Sequence, residues 1–407
     1  MKLLSSSGSV AMGLTIGTQK ITLGFQPKIV FFMSQPDTSN IVTEIANGHF
    51  TYGFSDGITQ YMMRVGATNG AAFGHVHNGG HAATIVAQVN DPPHQATIDY
   101  QFALVTLDID GFTINITDPP PINYRFGYLA LGGATLQAKV GYFRSSGGGN
   151  VISGIGFAPQ AIITTALQLA TIPANGQIFN HCWGFNTGVA GSGQSFCIGA
   201  NASYNSKPVV ANRLFDTYWN YNLSSSFGGG ITIFGPDGFS TSYHTNPVGY
   251  YTGYVCLNGG GNIFFKVGTG LLPALGTAQY TGIGFIPKAG IFSTIGTGAT
   301  DATWSMGFAA NPRSLQYMNM FRDQAGVNTT NIAHSSRDDR ILRINNNAGA
   351  VSEDVELSNW INDGFELNVL TGGALSQFGY FVAGDTNPVQ PIPPVDPEFT
   401  NYQGFVV

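Results

Sequence analysis

The strongest constraint on this chain is that it repeats itself three times at the spacing of a whole domain. A Gly-Phe-x-Pro phrase stands at Gly24-Phe25-Gln26-Pro27, Gly156-Phe157-Ala158-Pro159 and Gly284-Phe285-Ile286-Pro287, so its phenylalanines lie 132 and 128 residues apart. Three more phrases follow each copy in the same order. The first is an aromatic residue or Met before Gly-Phe, at Tyr52-Gly53-Phe54, Trp183-Gly184-Phe185 and Met306-Gly307-Phe308. Asp-Gly-Phe comes next, starting at Asp110, Asp237 and Asp363, and a closing aromatic run follows with Tyr128, Tyr254 and Tyr380. Ordered anchors with drifting interiors mark copies of one fold. A copy of this length is expected to be a complete domain with its own core. The spacing predicts domains at 1–134, 135–260 and 261–385 and a C-terminal segment at 386–407.

Short runs of β-branched and aromatic residues broken by Gly, Pro, Asn or Ser fill each copy, which is a strand pattern and makes the predicted class all-β. Thr113-Ile114-Asn115-Ile116-Thr117 and Leu342-Arg343-Ile344-Asn345 alternate as half-buried strands do. Closely spaced strands suggest a two-sheet sandwich per copy, with a jelly roll as one topology. Asp110-Gly111, Asp237-Gly238 and Asp363-Gly364 read as structural turns: Asp accepts backbone hydrogen bonds, Gly supplies positive φ, and Phe opens the next strand facing the core. Gly132-Gly133 and Asn258-Gly259-Gly260-Gly261 are too short for flexible linkers, so the copies should pack in a fixed relation.

Only 9% of residues are charged, and the 16 basic residues are spread thinly under a net charge of −6. That excludes the clustered basic footprint of a nucleic-acid binder. The first residues lack the apolar stretch of a secretory signal, and no run is long enough for a membrane-spanning helix. The expectation is synthesis in a cytoplasm, without membrane insertion. Cys182, Cys197 and Cys256 all fall in the second copy, so the common fold does not depend on a bridge. They read as buried free thiols, with a Cys182–Cys197 disulfide as the alternative.

The sharpest local constellation is His75, His77 and His81. In a strand His75 and His77 share a face, and three chains meeting there would supply six imidazole nitrogens to a metal. Gly79-Gly80 reads instead as a loop tip, and the other copies have no such histidines. No other cofactor is expected. Arg337-Asp338-Asp339-Arg340 and Glu353-Asp354-Val355-Glu356 read as solvated, self-neutralised charge groups. Tyr218, Trp219, Tyr221, Trp304 and Trp360 could stack on sugars but read as core. No nucleophile elbow, phosphate loop or metalloprotease helix is present, and the three copies share no acids beyond the turn aspartates, so the expectation is a non-enzymatic protein.

Asp385 to Pro397 carries five prolines and reads as an extended polyproline arm ending in Phe399, Tyr402 and Phe405. The arm is a candidate assembly element for a neighbouring subunit; the alternative is a strand that closes the third domain. Gly24-Phe25-Gln26-Pro27-Lys28-Ile29-Val30, Asp110-Gly111-Phe112-Thr113-Ile114 and Tyr128-Leu129-Ala130 resemble a repeated β-domain of tail and other virion proteins of tailed bacteriophages, over nearly the whole chain. Copies two and three depart from it at Phe239-Ser240 and Phe365-Glu366. The resemblance implies a virion structural role without catalytic residues. The expectation is a phage surface protein, in a tail fibre or adhesion appendage or decorating the capsid. Its expected partners are copies of itself as a trimer, other virion proteins and a host surface glycan. The alternative is a soluble carbohydrate-binding module.

Overall fold

A computed structural model describes residues 2–38, 45–46, 48–67, 76–89, 98–167, 174–176, 179–188, 194–201, 204–211, 215–218, 225–243, 249–296, 301–312, 315–324, 332–346, 348–372 and 376–385. These residues are all-β, with no helix among them. The first repeat supplies β1 (Leu4–Ala11), β2 (Gly17–Thr22), β3 (Pro27–Ser34), β4 (Ile45–Ala46), β5 (Gly48–Ser55), β6 (Gln60–Ala67), β7 (Val76–His81), β8 (Val86–Val89), β9 (Ile98–Asp108), β10 (Gly111–Asp118) and β11 (Arg125–Gly132). The second supplies β12 (Gln137–Arg144), β13 (Val151–Ser153), β14 (Ala161–Leu167), β15 (Ala174–Gly176), β16 (Phe179–Asn186), β17 (Gln194–Asn201), β18 (Tyr204–Ala211), β19 (Phe215–Tyr218), β20 (Ser225–Gly235), β21 (Gly238–Tyr243) and β22 (Tyr251–Asn258). The third supplies β23 (Phe264–Leu271), β24 (Gly276–Tyr280), β25 (Pro287–Ile295), β26 (Asp301–Ala310), β27 (Leu315–Gln324), β28 (Ile332–Arg337), β29 (Leu342–Asn345), β30 (Val351–Ile361), β31 (Gly364–Thr371) and β32 (Gln377–Gly384).

Each repeat builds one large and one small antiparallel sheet in the same strand order. The large sheets run β1-β11-β3-β5-β6-β7, β12-β22-β14-β16-β17-β18 and β23-β32-β25-β26-β27-β28, and the small ones run β2-β10-β9-β8, β13-β21-β20-β19 and β24-β31-β30-β29. Two large sheets gain a seventh strand from another repeat: β15 of the second pairs with β7 of the first, and β4 of the first pairs with β28 of the third. The second repeat's sheet gains none among the described residues. Residues 35–47 and 168–178 carry the donated strands, whereas the corresponding connection in the third repeat, residues 296–300, is only five residues long. The edge it would cover carries Pro208, paired with Ile198 at the register where Asn78 and His334 accept their extra strands. A proline cannot donate to an added strand, so this edge is blunted by its own sequence.

Alternation along the central strands explains how the three sandwiches join. In β3, Val30 and Phe32 face the small sheet, while Ile29, Phe31 and Met33 face the opposite way into a core common to all three repeats. In β32, Tyr380 and Val382 point into the third sandwich while Phe381 and Ala383 enter the common core. Strands buried on both faces need continuous apolar runs, and the sequence supplies them. The expectation that each copy has its own core therefore holds for one layer only. The largest cluster is shared and joins Phe31, Tyr52, Trp183, Val255, Trp304 and Phe381.

Local chemistry also departs from expectation in four places. Gly111, Gly238 and Gly364 do not adopt positive φ; they are glycines because a Cβ would strike the carbonyl oxygens of Ile21, Ile152 and Tyr280 on the adjacent strand. Cys182 is disulfide-bonded and stands opposite Cys197 in register, while Cys256 is free and buried, so the reading of three free thiols is corrected. Leu342–Asn345 is buried on both faces rather than half-buried, with Arg343 and Asn345 each 1% exposed. Gly79 and Gly80 form no loop tip; they lie in β7 between β6 and β15.

Candidate functional site

The site with the most structure built around it is the common axis of the three repeats. Residues at equivalent positions of the second phrase meet there. Tyr52 and Trp183 pack edge to face with ring centroids 3.5 Å apart, and Phe50 and Trp304, each three residues before the motif glycine, pack at 4.3 Å. The motif glycine faces the other way: a Cβ on Gly53 or Gly307 would strike the carbonyl of Ile85 or Ile341 in the small-sheet layer. The phrase aromatic-Gly-Phe thus holds two sheets close on one face and stacks rings on the axis with the other.

A second set of contacts runs cyclically around the axis. Tyr317 of the third repeat lies on Gly127 of the first, and Tyr61 of the first lies on Gly253 of the second. These glycines sit inside the closing aromatic runs, which leaves room for a neighbour's ring. Polar contacts reinforce the same joints. Gln35 donates to the Met320 carbonyl at 2.8 Å, Asp37 accepts from the Ser336 hydroxyl at 2.7 Å, and Asp56 accepts from Val140 N–H at 2.9 Å. Where the third repeat meets the first, no peptide linker exists, and Asp385 accepts Leu3 N–H at 2.7 Å while pairing with Lys288 at 2.6 Å.

Linkers and first phrases leave two clefts at equivalent joints. One, of about 380 Å³, lies between repeats one and two against Gln26, Lys28, Asp56, Gln137 and Phe157. The other, of about 330 Å³, lies between repeats two and three against Gln160, Thr187, Phe264, Phe265 and Phe285. Asp56 and Thr187 each stand two residues after the Phe of the second phrase, and Phe157 and Phe285 are the Phe of the first.

The turn aspartates do more than shape hairpins. Asp237 accepts the backbone N–H of Gly154 and Gly156 at 3.0 and 2.6 Å, and Asp363 accepts those of Gly282 and Gly284 at 2.9 and 2.5 Å. The third phrase therefore clamps the first, whose glycines carry the positive φ. In copy one Thr22 replaces the first glycine, and Asp110 pairs with Lys20 at 2.7 Å instead. Asp363→Ala should cost about 1–2 kcal/mol in urea unfolding, and Asp110→Ala clearly less because its partner is solvated.

The remaining expected residues do not converge. His75 lies outside the described residues, and His77 and His81 are backbone positions of β7; no metal-binding group of His, Cys, Asp or Glu occurs among the described residues. The arm residues Phe399, Tyr402 and Phe405, and Trp219 and Tyr221, also lie outside them. Trp304 is buried on the axis, and Trp360 packs half-buried against Phe365.

The acidic group of the third repeat is not simply solvated. Arg337 grips Asp339 through two hydrogen bonds of 2.8 and 2.7 Å, and the buried Arg343 bonds both oxygens of Asp354 at 3.2 Å. Burial works against Asp339 ionising, but Arg337 and Arg340 outweigh it and hold the carboxyl low. Glu353 is the exception: burial pushes its carboxyl up, only partly countered by the Ser376 hydroxyl donating at 2.8 Å. A raised carboxyl means the folded state binds more protons than the unfolded one, so stability falls as pH rises from the ordinary Glu range through the raised value. Glu353→Gln is expected to flatten that slope and to stabilise the protein at pH 7 by about 1 kcal/mol, checked by melting from pH 4 to 8.

A fifth anchor escaped the sequence reading. Gly8, Gly141 and Gly268 stand directly opposite the closing tyrosines Tyr128, Tyr254 and Tyr380, whose rings cover them. The signal was a glycine in each opening strand, 16 or 17 residues before the Phe of the first phrase.

No helix of the described residues is long and apolar enough to cross a membrane. No protein-family model matches the chain, and no curated protein matches it. Among solved structures, a fructofuranosidase from Schwanniomyces occidentalis complexed with fructose is 7% identical over 93% of this chain and 98% of its own, with a TM-score of 0.14. A β-fructofuranosidase from the same organism complexed with fructosyl-erythritol is 9% identical over 92% and 99%, with a TM-score of 0.13, and likeness at this level carries no argument about fold or activity.

Proposed function

We propose that this chain is a non-enzymatic structural protein of the surface of a tailed-phage particle, in a tail fibre or adhesion appendage or decorating the capsid. The observation that supports this reading best is the closing of three tandem repeats around one aromatic axis, from Tyr52 and Trp183 to Trp304. A single chain then offers the approximate three-fold face that a three-fold symmetric appendage or capsid position requires. Self-association through the Phe399, Tyr402 and Phe405 tip, contacts with other virion proteins and attachment to a host glycan belong to the same proposal. The test is immunogold labelling of intact particles with antibody to the recombinant chain. Gold on the tail tip or side appendages supports attachment, gold over the head supports capsid decoration, and particles without gold overturn the reading.

One observation favours a soluble carbohydrate-binding module as the second reading. The cleft between repeats one and two sets the Phe157 ring beside Gln26, Asp56 and Gln137, a pairing of ring and polar groups suited to a sugar. Unlabelled particles together with glycan binding abolished by Phe157→Ala would establish it.

A further inference from the structure

The cleft between repeats two and three is the more aromatic of the two, and Gly384, near the end of the described residues, lies beside it. Phe264 and Phe285 stack at 5.9 Å, with Phe265 alongside. Phe264 stands opposite Gly384 in the β23–β32 ladder, and the Phe285 ring covers the α-carbon of Gly384, one residue before Asp385. On the far wall Gln160 accepts Gly259 N–H through Oε1 at 2.8 Å, which leaves its amide NH2 as a donor.

The residues that follow have a period of three. Pro388, Pro391, Pro394 and Pro397 recur at that interval, and so do Val389, Ile392 and Val395. A polyproline II helix has three residues per turn, so the second set forms one apolar edge. Prolines present carbonyls without N–H groups, and aromatic-lined grooves with an amide donor are the surfaces that recognise such segments.

We propose that Pro388–Val395 of the same chain lies in this cleft in polyproline II form, with Ile392 against the Phe264–Phe285 pair and a proline carbonyl taking the Gln160 amide. The occupant is the chain's own segment because it is tethered next to the site, where its effective concentration is on the order of millimolar. The equivalent cleft between repeats one and two has a single ring and the charges of Lys28 and Asp56, which suit an apolar proline edge less well. This inference is independent of the virion reading.

Amide exchange of the full-length protein tests it, compared with full-length Pro391→Gly/Pro394→Gly and with a chain ending at Asp385. Exchange of the amides from Gly259 to Phe265 should speed up about tenfold in both variants, while those of Gln137–Val140 stay unchanged. Protection should not depend on protein concentration. Equal exchange in wild type and the glycine variant would overturn the proposal, and so would protection that rises with concentration, since the arm would then come from a second copy. The glycine variant decides the matter if the shortened chain does not fold.

Discussion

Trp183→Ala is expected to lower the stability of the entire chain by about 3–5 kcal/mol, although the residue belongs to only one repeat. Its side chain is fully buried, its ring meets Tyr52 of the first repeat edge to face, and the cluster around it includes Phe308 and Phe381 of the third. Removing the indole leaves a cavity whose walls come from different repeats, and each wall is fixed by its own sandwich, so collapse can recover little. Urea unfolding followed by tyrosine fluorescence and by circular dichroism should give one coincident transition, shifted for both probes. A loss confined to the second repeat, seen as two separated transitions, would mean that the rings touch without sharing a core.

Gly127→Ala is the second large effect, at about 3 kcal/mol, and its cause lies in another repeat. A Cβ at this position would overlap the ring of Tyr317, which is itself buried and cannot swing into solvent. The same substitution in a Tyr317→Ala background should cost little beyond the loss already caused by removing the tyrosine. The coupling between the two sites would then be about 2–3 kcal/mol, read from a double-mutant cycle. Additive effects would place the strain of Gly127→Ala within its own strand.

The all-β class and the three-fold repetition were legible because the anchors are local: a phenylalanine after Asp-Gly, or a proline at a strand entry, does the same work in each copy. Pro27 and Pro287 open β3 and β25, and Phe112, Phe239 and Phe365 are buried in their sandwiches as the alternation requires. The shared axis was less visible. The runs Ile29-Val30-Phe31-Phe32-Met33 and Tyr380-Phe381-Val382-Ala383 are apolar at every position, a mark of strands covered on both faces, but periodicity alone does not say what covers the second face. The cyclic contacts were invisible because they join residues about 190 positions apart, as Tyr317 does with Gly127. The turn aspartates were placed correctly on hairpins, yet their partners are backbone N–H groups about 80 residues away, which leave no trace in side-chain identity beyond the spacing of two glycines.

The histidine stretch was legible only in part. Of the stretch from His75 to His81 the strand accounts for Gly79 and Gly80, which are ladder positions between β6 and β15 and not a loop tip, while His75 lies outside the described residues. Repetition is the better guide to importance in this chain: features present in all three copies shape the axis and the clamps, and features present in one copy adapt it locally.

Calorimetry of the full chain tests the central claim most directly, that three repeats close on one core and behave as one structural unit. The account predicts a single endotherm whose calorimetric and van't Hoff enthalpies agree. Three resolved endotherms, or a calorimetric enthalpy about three times the van't Hoff value, would show independent domains and contradict it.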